Sequence, residues 1–234
     1  MNSTTLSKSL KVSVIVVILV WLLEIARLYF FPNFAKELYK SIPNFLLTAL
    51  LIGFLYILIV IGLLRYSKES FKDIGFSREN IGKQVKNGLL FGLGIFIAST
   101  FIINPIIELV IPKEVAVGVD ISALFSDFLT LLLLIFLSII KGGLSEELWR
   151  IFYLIRFEKC WGKTGLIISI FIGSIMFGFG HFYQGLSGVI STTVIGVLYT
   201  LVYLRKRLAL EVIITHATFD VIAVLFGFTI YKLS

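Results

Sequence analysis

Long apolar runs constrain the fold of this chain more than any other feature. Seven of them are close to the roughly 20 residues that a helix needs to cross the hydrocarbon core of a bilayer. They cover about residues 11–31, 43–65, 87–112, 125–141, 164–183, 187–204 and 208–231. The fourth is expected to continue as a helix to about residue 159, unless the pair Gly142–Gly143 divides it. We therefore predict an all-α, multi-pass transmembrane bundle of seven to eight helices, forming a single integral membrane domain over residues 1–234.

The amino-acid composition favours the same fold class. Only 15% of the residues are charged and 58% are hydrophobic, whereas a soluble domain has about 25% charged residues. The net charge of +7 is typical of a membrane protein with basic loops, and no basic stripe with interleaved aromatic residues lies outside those loops. We expect contact with the lipid bilayer and no binding of nucleic acid. Cys160 is the single cysteine, so an internal disulfide is excluded.

Lysine and arginine alternate between the loops as they do in proteins whose N-terminus is cytoplasmic. The segments on the predicted inner side carry most of them: Lys8, Lys11, Arg65, Lys68, Lys72, Arg78, Lys83, Lys86, Arg156, Lys159, Lys163, Arg205, Lys206 and Arg207. The segments on the outer side carry Lys36, Lys40, Lys113 and Lys232. We predict a multi-pass protein of the cell membrane with its N-terminus in the cytoplasm and its C-terminus outside.

Ionisable side chains inside the later spans are the candidates for function. An ionisable group at membrane depth costs several kcal/mol unless it is paired or hydrated. The candidate site residues are Glu146, Glu147, Arg150, His181, His216 and Asp220. Arg150 can pair with either glutamate along its helix, and Asp220 lies one turn after His216 on the same helix face. Counting 1.5 Å per residue, the depths of Glu146, His181 and His216 agree to within a few turns if the fourth and fifth helices project beyond the inner surface.

These residue types leave three functions open. In a peptidase, a carboxylate would act as the base that activates water for attack on a peptide bond. The histidines would supply the hydrogen-bond donors that an oxyanion site needs. A zinc-dependent membrane metallopeptidase would use Glu146, His181, His216 and Asp220 as ligands, although the His-Glu-x-x-His pattern is absent. A non-enzymatic membrane protein, such as a transporter or an immunity partner, would use the same buried groups for proton relay or for structure.

Two motifs in the later spans are also the motifs of a known family. The segments Phe177–His181 and His216–Asp220 match the patterns Phe-x-x-x-His and His-x-x-x-Asn/Asp in order and spacing. With the acidic pair before them, the chain resembles the CPBP family of CAAX-processing and bacteriocin-processing (Abi) endopeptidases. The resemblance covers roughly residues 125–225, which it marks as the catalytic core.

The first motif of that family is present in a shortened form. Glu146 and Glu147 match the glutamate pair of the pattern Glu-Glu-x-x-x-Arg, but two residues rather than three precede Arg150. The shorter spacing turns the arginine by about 100° around its helix. The chain therefore departs from the family pattern at Arg150.

The resemblance implies a glutamate-dependent intramembrane endopeptidase that needs no metal or other cofactor and cleaves near the cytoplasmic leaflet. It gives Glu146 the role of general base towards water, with Glu147 and Arg150 orienting or tuning it. His181 would help to hold the water.

In the same scheme, His216 and Asp220 would face the developing oxyanion. Asp220 would donate a hydrogen bond if it is protonated and would otherwise orient His216. The implied substrate is a protein or peptide, either a prenylated CAAX protein or a leader peptide.

Overall fold

The computed structural model describes residues 3–30, 41–111 and 127–233. Within these ranges the chain contains six helices that are long and apolar enough to cross a bilayer, and no strand. We number them α1 (Ser3–Phe30), α2 (Ile42–Tyr66), α3 (Ile81–Val110), α4 (Phe128–Gly180), α5 (Gly185–Lys206) and α6 (Ala209–Leu233). Short 3₁₀ turns, Phe71–Ile74 and Phe182–Gln184, precede α3 and α5. The all-α, multi-pass class is confirmed.

Counted by length and apolar composition, the described residues contain six such helices, so the predicted count of seven to eight is too high. The reason is that α4 contains both the fourth and the fifth predicted spans. The division considered at Gly142–Gly143 does not occur, since Ser138–Glu146 continues the helix with π-helical geometry. Three of the predicted span ends fall outside the described residues: residue 31, residue 112 and residues 125–126. So do Lys36, Lys40 and Lys113.

Helix α4 folds back on itself at Trp161 and Gly162. Both residues have non-helical backbone angles, and Gly162 has a φ of 59°, in the left-handed region that favours glycine. The guanidinium carbon of Arg150 lies 4.4 Å from the ring centroid of Phe177, whereas these residues would be about 40 Å apart in a straight helix. Helix α4 is therefore a helical hairpin, with a first arm (128–160) and a second arm (163–180).

The first arm of the hairpin is the centre of the bundle. Its residues 147–157 are buried on every side of the helix, as expected of a central helix. The indole of Trp21 from α1 meets Tyr153 edge to face at 5.2 Å. The ring of Tyr56 from α2 stacks on Trp149 at the same distance with an interplanar angle of 10°. The aromatic contacts fix the first arm against both earlier helices.

Ion pairs form a layer at the turn end of the hairpin. Arg207, between α5 and α6, makes two hydrogen bonds to Glu158 at 2.5 and 2.8 Å. Glu69, in the segment between α2 and α3, pairs with both Arg156 and Lys159. We call these five residues the turn-end ionic layer. It ties the hairpin to the connections on either side of it.

Helix α6 is held in register by a buried carboxylate near its start. Glu211 is 1% exposed and accepts a hydrogen bond from Asn87 of α3 at 2.7 Å. Arg205 of α5 forms an ion pair with the same carboxylate. Because a buried charge is costly unless it is paired, these contacts fix the height of α6 and so of the residues that follow Glu211.

Candidate active site

A cavity of about 410 Å³ lies inside the bundle, between α2, both arms of α4, α5 and α6. Four of the six predicted site residues line it: Glu146, His181, His216 and Asp220. The other two, Glu147 and Arg150, lie behind this wall and are at most 1% exposed. The structure thus brings together residues from three separated segments of the chain.

Glu146 is held at the cavity wall by a lysine that precedes it by five residues. The Nζ of Lys141 lies 2.5 Å from Oε1 of Glu146. In an α-helix, residues five apart point in different directions, but the wider π-helical turn, with its hydrogen bonds from i to i+5, brings residues i and i+5 closer together around the axis. The π-helical segment Ser138–Glu146 therefore creates this ion pair. The glutamate side chain is 10% exposed.

Glu147 makes three hydrogen bonds from a fully buried position. Its Oε1 and Oε2 accept from Nε of Arg150 at 3.1 and 3.0 Å. Its Oε1 also accepts from Nδ1 of His216, 2.8 Å away on α6. Glu147 therefore links the first arm of α4 to α6 and fixes the orientation of the His216 ring.

His216 presents its other nitrogen to the cavity. The Nε2 atom lies 3.5 Å from Oδ2 of Asp220 and 3.7 Å from Oε2 of Glu146. Both distances exceed a good hydrogen bond, and a water molecule can bridge polar groups at such a separation. The ring of Tyr199 stacks on His216 with centroids 4.3 Å apart and an interplanar angle of 27°. The imidazole is thus clamped between Glu147 and Tyr199.

His181 stands where the second arm of α4 ends. Its Nδ1 is 2.9 Å from the carbonyl oxygen of Phe177. A carbonyl oxygen can only accept, so Nδ1 carries the proton and, in the neutral ring, Nε2 has a free lone pair. The Phe177 ring packs against the imidazole with centroids 4.8 Å apart. The Phe-x-x-x-His spacing thus fixes both the position and the tautomer of His181.

Arg150, whose spacing departs from the family pattern, has a structural environment of its own. Besides the contacts with Glu147, its Nη1 donates to the carbonyl oxygen of Gly196 on α5 at 3.2 Å. Its guanidinium lies over the Phe177 ring at 4.4 Å. Arg150 therefore joins α5, the first arm and the second arm, and it reaches the cavity through Glu147.

Several polar residues at the cavity were not assigned to the site from the sequence. Four of them are Glu24, Tyr56, Lys141 and Tyr199. Glu24 of α1 pairs with Arg27 at 2.5 Å, and Tyr199 of α5 is 0% exposed. An ionisable or hydroxyl group inside an apolar run is the signal that marks all four, but spacing alone does not show which of them face one cavity.

The geometry offers little for a metal ion. Among residues 3–30, 41–111 and 127–233, no group of three or more His, Cys, Asp or Glu side chains is arranged to hold one. In His216 the Nδ1 atom is already bonded to Glu147. The residues considered as zinc ligands, Glu146, His181, His216 and Asp220, line one cavity but do not form such a group.

The site lies well inside the bundle. Glu146 precedes Glu158 of the turn-end ionic layer by twelve residues, and His216 follows Arg207 by nine. At 1.5 Å per residue these intervals are about 18 and 13 Å of helix. Since Glu158 and Arg207 are bonded to each other, both counts start from one level. Glu146 and His216 are therefore about 13–18 Å from the ionic layer, and His181, nineteen residues after Gly162, lies at the far end of the cavity, about 28 Å away.

These features define a class of protein: a multi-pass helical membrane protein whose helices surround a cavity lined by ionisable and apolar side chains. Residues 127–222 match the family model of type II CAAX prenyl endopeptidases, Rce1-like. The resemblance to CAAX-processing endopeptidases that the three motifs indicate is confirmed, and it supports a membrane endopeptidase acting on proteins or peptides. No curated protein and no solved structure matches the chain.

Proposed function

We propose that this protein is an intramembrane endopeptidase in which Glu146 activates a water molecule. One observation carries the proposal: Glu146, His181, His216 and Asp220 line a single cavity inside the bundle. Peptide hydrolysis needs a base within reach of water and donors facing the oxygen of the attacked carbonyl. The cavity walls supply groups of both kinds.

In the first step, water attacks the carbonyl carbon of the scissile peptide bond. Lys141 holds Oε1 of Glu146. Oε2 of Glu146 takes one proton from the water molecule as the water oxygen bonds to the carbonyl carbon. The free lone pair on Nε2 of His181 accepts a hydrogen bond from the same water. This assignment makes Glu146 the base and His181 the residue that orients the nucleophile.

The carbonyl oxygen then carries a negative charge in the tetrahedral intermediate. His216, in its protonated form, donates to it from Nε2, while Glu147 accepts from Nδ1 and stabilises the imidazolium. Asp220, 3.5 Å from Nε2, orients this group or donates when it is itself protonated. Fixed donors aimed at the developing charge are among the largest contributions that enzymes make to catalysis.

The intermediate collapses when the C–N bond breaks. Glu146 returns its proton to the departing amine nitrogen, so that one new carboxyl group and one new amine are formed from the peptide and water. The glutamate ends the cycle ionised and paired with Lys141. Arg150 acts through Glu147 throughout, as a positioning residue.

A prenylated protein ending in a CAAX sequence is the substrate class that we propose. The support is the family match over residues 127–222 together with the apolar part of the cavity wall, where Phe45, Leu134, Leu137 and Val224 lie. The family resemblance implies cleavage near the cytoplasmic leaflet of the cell membrane. The basic loops put the turn-end ionic layer on that side, so Glu146 and His216 would lie about 13–18 Å from it, near the middle of the bilayer. A leader peptide is the competing substrate class.

The test uses purified wild-type protein in liposomes and an internally quenched peptide that ends in a farnesylated CAAX sequence. We expect cleavage by the wild type and none by Glu146→Ala or His181→Ala, with unchanged expression and thermal unfolding. Retained cleavage in either variant would refute the assigned roles. A comparison of N-termini in membranes with wild-type or Glu146→Ala protein identifies the natural substrate and separates CAAX from leader-peptide cleavage.

The other functions considered give different results in the same preparation. Stoichiometric zinc in the active protein, with activity lost on chelation, would favour the metallopeptidase. Absence of any Glu146-dependent cleavage, in the liposomes and in the membrane comparison, would favour the non-enzymatic transporter or immunity partner.

A further inference from the structure

The tyrosine that stacks on His216 carries a hydroxyl group that the structure leaves without a partner. Tyr199 is 0% exposed, lines the 410 Å³ cavity, and its hydroxyl makes no hydrogen bond within the described part of the chain. Nearly all buried polar atoms are hydrogen-bonded, so an exception beside an active-site wall calls for a partner, either a water molecule or a bound substrate. The Tyr199 hydroxyl has no such partner among the described residues.

The hydrogen-bonding pattern of the two histidines shows why such a donor is needed. His181 uses the proton on Nδ1 for the carbonyl oxygen of Phe177, and His216 uses its own for the carboxylate of Glu147. In their neutral forms, both rings therefore present only a lone pair at Nε2 to the cavity. Glu146 accepts as well when it is ionised. The four motif residues that line the cavity offer the oxyanion a donor only while one of them carries an additional proton, and the ammonium of Lys141 is paired with Glu146.

The position of Tyr199 suits the missing role. Its ring lies nearly parallel to the His216 ring, with centroids 4.3 Å apart, and it is 6.1 Å from the ring of Phe219. Packing on both rings removes the freedom of its two side-chain torsions, so the hydroxyl is preorganised. A phenol with an ordinary pKa of about 10 keeps its proton at neutral pH and donates without needing a charge.

We propose that Tyr199 is a further catalytic residue, whose hydroxyl donates a hydrogen bond to the oxyanion formed at the attacked carbonyl. The proposal rests on the endopeptidase function proposed above and extends it by one residue. In the tetrahedral intermediate, the carbonyl oxygen accepts from the Tyr199 hydroxyl as well as from the His216–Asp220 pair. No proton is transferred from the tyrosine.

The test compares Tyr199→Phe with Tyr203→Phe on the farnesylated CAAX peptide. Tyr203 is one turn further along α5, is 1% exposed, and donates to the carbonyl oxygen of Ile74 at 3.5 Å away from the cavity. We expect kcat of Tyr199→Phe to fall about 100-fold with little change in KM, as when one oxyanion donor is removed elsewhere. Tyr203→Phe should keep wild-type kcat.

Thermal unfolding separates catalysis from structure. Phenylalanine keeps the stack on His216 and removes only an unpaired buried hydroxyl, which is neutral or stabilising. We therefore expect Tyr199→Phe to unfold at the wild-type temperature or above. A fall in its unfolding temperature alongside lost activity would assign Tyr199 a structural role and overturn the proposal.

Glu146→Gln in the same assay distinguishes the two proposals. If wild type cleaves, Glu146→Gln does not, and Tyr199→Phe keeps kcat within about threefold of wild type, the role of Tyr199 is refuted while the endopeptidase stands. If Glu146→Gln cleaves as well as wild type, the glutamate mechanism fails, and the Tyr199 role fails with it.

Discussion

The Nζ of Lys141 lies 2.5 Å from Oε1 of Glu146 in the π-helical segment Ser138–Glu146. The pair commits one carboxylate oxygen to the lysine and leaves Oε2 on the side of His216, whose Nε2 is 3.7 Å away. The two oxygens of Glu146 therefore have different surroundings. Only one of them is placed to meet a water molecule in the cavity.

Removing the lysine charge should impair catalysis more than it impairs folding. In Lys141→Met the side chain keeps its length but Glu146 loses the cation that orients it. We expect kcat/KM to fall by about 10- to 100-fold, since small misplacements of a catalytic group cost rates of this order. Lys141→Arg should keep most of the activity because it preserves the charge. Equal values of kcat/KM for Lys141→Met and the wild type would show that the ion pair with Lys141 does not position Glu146.

The buried pair of Glu147 and Arg150 gives a prediction about stability. Removing one partner leaves the other as an uncompensated buried charge, so Glu147→Met and Arg150→Met should each cost about 3–5 kcal/mol of unfolding free energy. The double variant Glu147→Met/Arg150→Met should cost clearly less than the sum. Chemical unfolding in detergent measures all four proteins. If the losses of unfolding free energy in the two single variants add up to the loss in the double variant, the two side chains are not directly coupled.

Gly142 should not tolerate a side chain, because α6 approaches it closely. A Cβ atom there would overlap Oδ2 of Asp220 and lie 3.5 Å from Nε2 of His216. Gly142→Ala should therefore displace the Asp220 carboxylate from its place beside His216 and lower peptidase activity. Gly94→Ala in α3 is the control, since its Cβ would meet nothing within 4 Å. Activity of Gly142→Ala comparable to that of Gly94→Ala would show that the His216–Asp220 geometry is dispensable.

The pKa of Glu69, in the turn-end ionic layer, predicts how the free energy of unfolding depends on pH. Burial raises the pKa of Glu69, but the hydrogen bonds and charges of Arg156 and Lys159 outweigh it and hold the pKa below its ordinary value of 4.5. A depressed folded-state pKa stabilises the protein above the unfolded-state value, and this stability is lost as the pH falls through the folded-state pKa.

We therefore expect the free energy of unfolding to decrease on acidification below about pH 4.5. Glu69→Gln should be less stable than wild type at pH 7 and should lose less on acidification. Parallel pH profiles for the two proteins would rule out a contribution from Glu69.

Cys160 allows the orientation of the chain to be tested without engineering a label. It is the single cysteine and lies, partly exposed, beside the turn at Trp161 and Gly162. A membrane-impermeant maleimide should label it in inside-out vesicles and leave it unlabelled in right-side-out vesicles. Cys160→Ser/Leu233→Cys should show the reverse pattern. Labelling of Cys160 from the outside would place the N-terminus there.

The fold class follows from the sequence because apolar runs of about 20 residues have one stable arrangement in a bilayer. The reversal between residues 159 and 164 is also predicted, from the basic residues that separate two runs. The helix count is not, because the chain reverses at Trp161 and Gly162 with no loop between the two arms of α4. The ends of the runs therefore indicate where the chain turns but not whether a helix ends there.

The site is predicted only in part, for a related reason. Periodicity of 3.6 residues correctly places Asp220 one turn from His216 and allows Arg150 to reach Glu147. It does not predict the pair of Lys141 and Glu146, since a spacing of five residues brings side chains together only in a π-helix. Tyr199 is missed because a tyrosine in an apolar helix has no distinguishing neighbour in sequence. Only the packing of α5 against α6 brings it to His216.

The hairpin of α4 has a consequence for the order in which activity arises during synthesis. Glu146 and His181 lie on its two arms and can take their places as soon as that single unit is inserted. His216 and Asp220 arrive only with α6, which follows the other five helices in the chain. A nascent or truncated chain lacking α6 would therefore hold the proposed base without the proposed oxyanion groups.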